Sequence, residues 1–241
     1  MEILGIDFFE GDIDGVLRTV KNGGLLLVPA APALITIRED SDYYQSLKFA
    51  DVVIPDSGYM VLIWNLTHRK KLRRISGLEF IIAFLANKEV QSGQGLFLID
   101  PSTKEAQSNQ QFLNRSGFEI EESDSYIAPM YDKSSVEDPA LLKVLERSKP
   151  KYIIINLGGG VQEKLGYYLK KNLSYRPAII CTGAAIAFLT GEQVNIPNWA
   201  DRFFVGWLFR CISRPKLYVP RYLKAFKLIR MMLGDRKSMN I

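Results

Sequence analysis

Ile153-Ile154-Ile155-Asn156-Leu157-Gly158-Gly159-Gly160-Val161-Gln162-Glu163-Lys164 decides how this chain of 241 residues is read. An apolar run stops at three glycines, and a helix-forming segment with polar heads follows. That order describes a buried strand turning sharply into a helix. Glycine lets a backbone approach a ligand closely. The free N–H groups at a helix start attract anions, phosphates above all. Two readings stay open on the motif alone: a cradle for a phosphate-bearing ligand, and a tight βα turn with no ligand. The dinucleotide pattern G-x-G-x-x-G fails, because Glu163 stands at its third glycine, and no G-x-x-x-x-G-K-[ST] occurs in the chain. In the first helical turn, Gln162 could point its carboxamide at a phosphate or a sugar hydroxyl, with Glu163 beside it.

The same strand-then-helix alternation recurs on either side of this stretch. Gly24-Leu25-Leu26-Leu27-Val28, Asp51-Val52-Val53-Ile54, Leu96-Phe97-Leu98-Ile99, residues 118–121, 151–156 and Ala178-Ile179-Ile180-Cys181 read as strands. Helix-length segments fall at 12–22, 33–48, 58–66, 76–91, 103–115, 137–148 and 162–172. Continuous apolar strands alternating with helices predict an α/β fold, a mainly parallel Rossmann-like sheet with helices on both faces. Ligands of such sheets gather at the carboxyl ends of the strands. Three of these ends are chemically loaded: Val28-Pro29-Ala30-Ala31, Pro55-Asp56-Ser57-Gly58 and the glycine turn. Asn195-Ile196-Pro197-Asn198 interrupts the pattern and divides an α/β core, 1–195, from a C-terminal helical appendage, 196–241.

Charge separates these two parts. Residues 201–241 hold ten Lys/Arg and two acids, whereas the first 200 hold 21 basic and 24 acidic side chains. A basic segment therefore sits on a near-neutral body. No apolar run approaches the ~20 residues that span a bilayer. Met1-Glu2-Ile3-Leu4-Gly5-Ile6-Asp7 carries acid where a secretory leader carries base. Cys181 and Cys211 accordingly read as reduced thiols of a cytoplasmic protein.

Asp56 is the candidate for chemistry. At the mouth of the sheet, beside a helix start, its carboxylate could serve as a general base toward a hydroxyl nucleophile. The competing reading is that it caps the helix at 58–66. His68, the only histidine, lies in the basic stretch His68-Arg69-Lys70-Lys71, which reads as solvated and leaves no room for a histidine triad or a His-rich metal site. Two distant cysteines do not make a zinc site. Asp12-Ile13-Asp14 has the D-x-D spacing of metal-dependent sugar transferases, but it precedes an amphipathic segment and reads as a helix cap.

The tail alternates aromatics with cations: Trp199, Phe203, Phe204, Trp207 and Phe209 with Arg202, Arg210 and Arg214, then Tyr218, Tyr222 and Phe226 with Lys216, Arg221, Lys224, Lys227 and Arg230. Such a pattern suits a bilayer interface. We read 199–230 as docking on an anionic membrane surface in preference to a core-covering helix, and expect no nucleic-acid partner.

In order, these pieces resemble the WecG/TagA/CpsF glycosyltransferases (glycosyltransferase family 26), bacterial enzymes that extend lipid-linked sugars for teichoic acid, enterobacterial common antigen and exopolysaccharide. The resemblance runs over residues 22–224. It rests on Pro55-Asp56-Ser57-Gly58-Tyr59 for P-D-G-x-G, Arg74-Ile75-Ser76-Gly77-Leu78-Glu79 for R-x-x-G-x-D and Leu157-Gly158-Gly159-Gly160-Val161-Gln162-Glu163 for L-G-x-P-x-Q-E. It continues through Thr182-Gly183-Ala184-Ala185-Ile186-Ala187-Phe188-Leu189-Thr190-Gly191, Asn195-Ile196-Pro197, Gly206-Trp207-Leu208-Phe209-Arg210, Arg214-Pro215-Lys216 and Pro220-Arg221-Tyr222.

The resemblance implies an inverting hexosyl transfer from a UDP-sugar to a polyprenyl-diphosphate-linked saccharide, without a metal or other cofactor. Asp56 falls on the family's base. Gly158, Gly159, Gly160, Gln162, Glu163, Gly183 and Tyr131 fall at or near its donor positions. Arg74, Arg210 and Arg221 fall on arginines that meet the acceptor diphosphate, an anion suited to guanidinium. The basic tail matches the appendage that holds the enzyme to the inner face of the plasma membrane. Self-association stays open. The chain departs from the pattern at Val28 and Ala30, where the family has T-x-N, and at Ala187, where it has the aspartate of F-D. It departs also at Asn195, Gly206 and Leu217. The departures suit an altered donor. They also suit a second reading, a non-catalytic member that binds nucleotide-sugar or lipid-linked intermediate and scaffolds a polysaccharide pathway.

Overall fold

The apolar runs do form one parallel sheet, and residue parity explains how it is buried. The computed structural model describes residues 1–92, 95–132, 136–183, 185–191, 212, 216, 219–220, 223 and 226–238. In chain order the elements are β1 (Glu2–Ile3), β2 (Ile6–Asp7), α1 (Ile13–Val20), β3 (Gly24–Leu27), α2 (Ala31–Leu34), α3 (Ser41–Lys48) and β4 (Val52–Val53). Then come α4 (Gly58–Thr67), α5 (Gly77–Leu85), α6 (Lys88–Gln91), β5 (Leu96–Asp100), α7 (Thr103–Arg115), a 3₁₀ turn and β6 (Ser125–Ile127). The remainder is α8 (Pro139–Ser148), β7 (Tyr152–Ile155), α9 (Val161–Asn172), β8 (Ala178–Cys181), α10 (Ala185–Leu189) and α11 (Lys227–Ser238).

The six-stranded sheet runs β4-β3-β8-β7-β5-β6, with every pairing parallel. Leu25 stands opposite Ile179, Ile153 opposite Ile179, and Leu98 opposite Ile154. Side chains alternate across a strand. Leu25, Leu27, Phe97, Ile153, Ile155 and Ile179 therefore bury one face under α3, α4, α8, α9 and α11. Leu26, Leu98, Ile154 and Ile180 bury the other under α1, α5, α7 and α10. Neighbouring strands β3 and β8, β8 and β7, and β7 and β5 thus send their following helices to opposite faces. Crevices open at such borders, at the carboxyl ends of the strands.

Three expectations need correction. The segment 33–48 is two helices, because the backbone turns at 36–40 and Asp40 starts afresh by accepting the Tyr43 N–H at 3.0 Å. Likewise 76–91 breaks at Asn87, whose side chain caps α6 through Glu89. The strand expected near 118–121 lies instead at Ser125–Ile127. Phe118 and Ile120 are buried, which made them look like a strand. However, the Ile120 N–H donates to the Asn114 side chain, and its carbonyl accepts from Gln110 and Asn114, so helix side chains take the place of a ladder. The β1–β2 hairpin was not foreseen; it turns on Leu4 and Gly5, both at positive φ, as the mirror-image hairpin turn requires. The domain edge expected near 195–199 lies outside the described residues. In the expected appendage, α11 buries Leu228, Met231 and Met232 against the first face. Among the described residues no helix is long and apolar enough to cross a membrane.

Candidate functional site

Asp56 ends a tight turn after β4: its N–H donates to the Ile54 carbonyl at 2.9 Å. The next residue, Ser57, caps α4 by accepting the Met60 N–H at 3.2 Å. The cap is therefore Ser57, and the Asp56 carboxylate is left to turn elsewhere. Its Oδ1 accepts from the Gly77 N–H at 3.1 Å and from an Arg74 terminal nitrogen at 3.4 Å, and Arg74 Nε donates to the Asp56 carbonyl at 2.7 Å. The side chain stays 30% exposed. The fold thus joins two residues 18 apart in sequence, the expected base and one expected acceptor arginine. Val28 forms the wall beside them, since a Cβ on Gly77 would come within 2.9 Å of Val28 Cγ1.

At the glycine turn, the polar side chains of α9 are turned inward. Gly160, at φ +91, donates its N–H to Glu163 Oε2 at 2.6 Å. Gln162 Nε2 donates to Glu163 Oε1 at 3.2 Å, while Gln162 Oε1 accepts the Gly183 N–H at 2.7 Å. Gln162 and Glu163 are buried, and burial raises the Glu163 pKa against the opposing pull of its hydrogen bonds. These side chains lock the turn after β7 to the turn after β8 across their shared crevice. Gly158 and Gly159 are what remains exposed there. Among the described residues nothing accepts from their N–H groups. A Cβ on Gly158 would meet nothing within 4 Å, and one on Gly159 only Ala33 at 3.8 Å and Glu163 at 4.0 Å. The surface offered to a ligand is thus bare backbone at the start of a 12-residue helix, which suits an anion.

Sequence reasoning missed a buried polar group one strand over. Asp100, at the end of β5, is fully buried, and its Oδ1 accepts from Asn109 and from Asn156, each at 2.7 Å. Among the described residues, Asp100 Oδ2 and Asn156 Oδ1 have no partner. Desolvation pushes the Asp100 pKa up to about 6, partly opposed by the two asparagines. A proton on Oδ2 would turn one of these stranded acceptors into a donor. The visible signal was a carboxylate closing a run of wholly apolar strand residues.

This group predicts a pH dependence of stability. Its ordinary value is 3.8 and its folded value about 6, so the native state holds the proton more tightly than the unfolded chain. The stabilisation is complete below about pH 4 and is lost as the pH rises through about 6. The loss amounts to roughly 3 kcal/mol, at about 1.4 kcal/mol per pK unit. Asp100→Asn carries a permanent N–H donor. In urea melts it is expected to be more stable than the parent at pH 8 and equal to it at pH 4. A difference that does not change with pH would assign the effect to packing instead.

Tyr131 belongs to the β6 edge, two strands from the glycine turn. Its hydroxyl donates to Asp138 Oδ2 at 2.7 Å, alongside Tyr126 at 3.0 Å, and Asp138 caps α8. Burial and that carboxylate push the Tyr131 pKa well up. Asp12 caps α1 through the Gly15 N–H at 2.9 Å. His68 is half-buried, not solvated as expected, with its ring stacked 3.7 Å from that of Trp64. Cys181 is a buried free thiol. Ala187 lies in α10. Arg210 and Arg221, with Asn195, Gly206, Leu217, Cys211 and the tail tryptophans, lie outside the described residues.

A model of the glycosyl transferase WecG/TagA/CpsF family matches residues 1–240. The chain is 24% identical over 196 residues to the N-acetylglucosaminyldiphosphoundecaprenol N-acetyl-beta-D-mannosaminyltransferase of Bacillus subtilis (strain 168), covering 76% of this chain and 71% of that one. It is 20% identical over 220 residues to the protein of the same name from Staphylococcus aureus (strain MRSA252), covering 88% and 84%.

Proposed function

This chain belongs to the WecG/TagA/CpsF family of glycosyl transferases, and from that premise we propose that it moves a sugar from a nucleotide-sugar, UDP-linked, to a saccharide carried on a polyprenyl diphosphate. The acceptor hydroxyl gives its proton to Asp56 and attacks the anomeric carbon. The bond from that carbon to the diphosphate breaks, and the sugar is delivered with inverted configuration. The leaving nucleoside diphosphate is received by the N–H groups of Gly158 and Gly159. Arg74, together with Arg210 and Arg221 of the tail, binds the acceptor diphosphate, and charge is balanced by guanidinium and backbone N–H without a metal. The work takes place on the inner face of the plasma membrane, in cell-surface polysaccharide or exopolysaccharide synthesis. The observation that carries this reading is the Asp56 carboxylate, released from capping by Ser57, part-exposed, and oriented by Gly77 and Arg74.

Both relatives are named for transfer of N-acetylmannosamine to N-acetylglucosaminyldiphosphoundecaprenol. UDP-N-acetylmannosamine is therefore the first donor to test. Apolar Val28, packed against Gly77, and Ala30, where the family pattern has polar residues, argue for a panel of UDP- and GDP-sugars rather than one. With a short-chain polyprenyl-diphosphate N-acetylglucosamine as acceptor, mass spectrometry is expected to find one added sugar. Nucleotide binding without transfer from any donor would favour the second reading, a scaffold that holds a pathway intermediate, to which Val28, Ala30 and Ala187 point.

A further inference from the structure

Helix α4 carries apolar residues on the side that faces away from the core. Met60, Val61, Ile63 and Trp64 are buried, yet Leu62 is 43% and Leu66 77% exposed. Tyr59, one turn earlier on the same stripe, meets the ring of Phe226 edge-on at 5.9 Å, and Phe226 is itself 60% exposed. The helix then runs into His68-Arg69-Lys70-Lys71-Leu72-Arg73-Arg74. From Ser57 to Leu78 the chain has five Lys/Arg and no Asp or Glu. Lys70 is paired with Glu10 at 2.7 Å, and Arg74 with Asp56. Arg69, Lys71 and Arg73 are exposed, and no carboxylate among the described residues pairs with them. Exposed leucines bordered by cations with no carboxylate partner among the described residues make a surface for a partner that is apolar within and anionic at its rim.

We propose that the outer face of α4, with Leu62 and Leu66 inserted and Arg69 and Arg73 at the rim, docks on a bilayer containing anionic lipid. This contact is centred on the body of the protein and borders the tail, whose Phe226 packs on Tyr59. Charge decides between a bilayer and a second copy of the chain. Isologous pairing on this face would set Arg69 and Arg73 against themselves with no acid in the segment to relieve them. The docked segment begins and ends at the proposed reaction centre, because the Asp56–Arg74 pair ties its two ends together. Docking therefore brings the base to the level of lipid headgroups, where a lipid-linked diphosphate lies. That consequence rests on the function proposed above; the docking itself does not.

The test uses the full chain with vesicles of phosphatidylcholine alone and of phosphatidylcholine with 30% phosphatidylglycerol. Arg69→Gln/Arg73→Gln is expected to weaken binding to the anionic vesicles by roughly 25-fold, about fivefold per cation, and to remove much of its salt dependence. Leu62→Gln/Leu66→Gln is expected to weaken it by roughly tenfold while keeping the salt dependence. Lys143→Gln/Arg147→Gln on α8 is the charge-matched control, expected to bind as the parent does. Turnover on a water-soluble acceptor should be unaffected in all three. Parent-level binding by both α4 variants overturns the proposal. So does a leucine variant that binds vesicles normally but dissociates an oligomer in light scattering, since the face would then be a self-interface. Vesicle binding lost as expected, in a protein that transfers no sugar, would leave docking standing and the glycosyl-transfer reading refuted.

Discussion

Asp56→Asn is expected to lower turnover by roughly 100-fold or more while leaving nucleoside-diphosphate affinity nearly unchanged. The substitution is informative because the structure separates shape from basicity. An asparagine Oδ1 can still accept the Gly77 N–H and the Arg74 nitrogen that now meet Asp56. The α4 cap is untouched, since Ser57 provides it. Melting temperature and nucleotide titration should therefore match the parent, and the loss should appear in kcat. Arg74→Lys is the companion. A lysine cannot reproduce both the Nε bond to the Asp56 carbonyl and the terminal contact to its carboxylate, so turnover should fall although the positive charge is kept. A variant Asp56→Asn with parental turnover would remove this carboxylate from the mechanism.

Gly158→Val is expected to weaken nucleoside-diphosphate binding by roughly tenfold or more, a change of about 1.4 kcal/mol for each factor of ten, with the fold intact. A Cβ on Gly158 would find nothing within 4 Å, so the added methyls enter the space left for a ligand and not the protein. Gly159→Val should act similarly, its Cβ standing in ordinary van der Waals contact with Ala33 at 3.8 Å. Gly160 is the wrong place for this test. At φ +91 any side chain is strained, and a binding defect there could not be told from a damaged turn. Calorimetry on Gly158→Val, with circular dichroism for the fold, decides the matter. Unchanged affinity would make the glycine turn a purely structural βα connection.

Much of the architecture was legible in the chain because it depends on local patterns. Strands buried on both faces must be apolar throughout, so β3, β5, β7 and β8 stand out as continuous runs. Helix starts announce themselves through caps such as Asp12, Ser102 and Asp138, whose side chains bond to N–H groups three residues ahead. The reading failed where burial and strand formation part company, as at Phe118 and Ile120, and where a cap inside a long helical pattern, Asp40 or Asn87, restarts the chain.

The candidate site was legible only as a set of residues. Asp56, Arg74, the three glycines and Gln162 could be picked out by position and by resemblance, but not which donor each acceptor would own. Asp56 had two N–H-rich neighbours to choose from. Ser57 took the helix cap, and packing of α5 on Val28 brought Gly77, 21 residues on, to the carboxylate. Gln162 could face a ligand or the protein, and the parallel pairing of β7 with β8 set the Gly183 N–H against it. Asp100 looked like an ordinary polar strand end until Asn109 and Asn156 closed over it. Residue chemistry and hydrophobic period act over a few positions, so the chain alone sets most of the elements, their buried faces and the loops that carry polar groups. Strand order and helix side decide which distant groups lose water together. A desolvated polar group must take whatever partner is then within reach, so the ownership of each hydrogen bond was settled only by the tertiary structure.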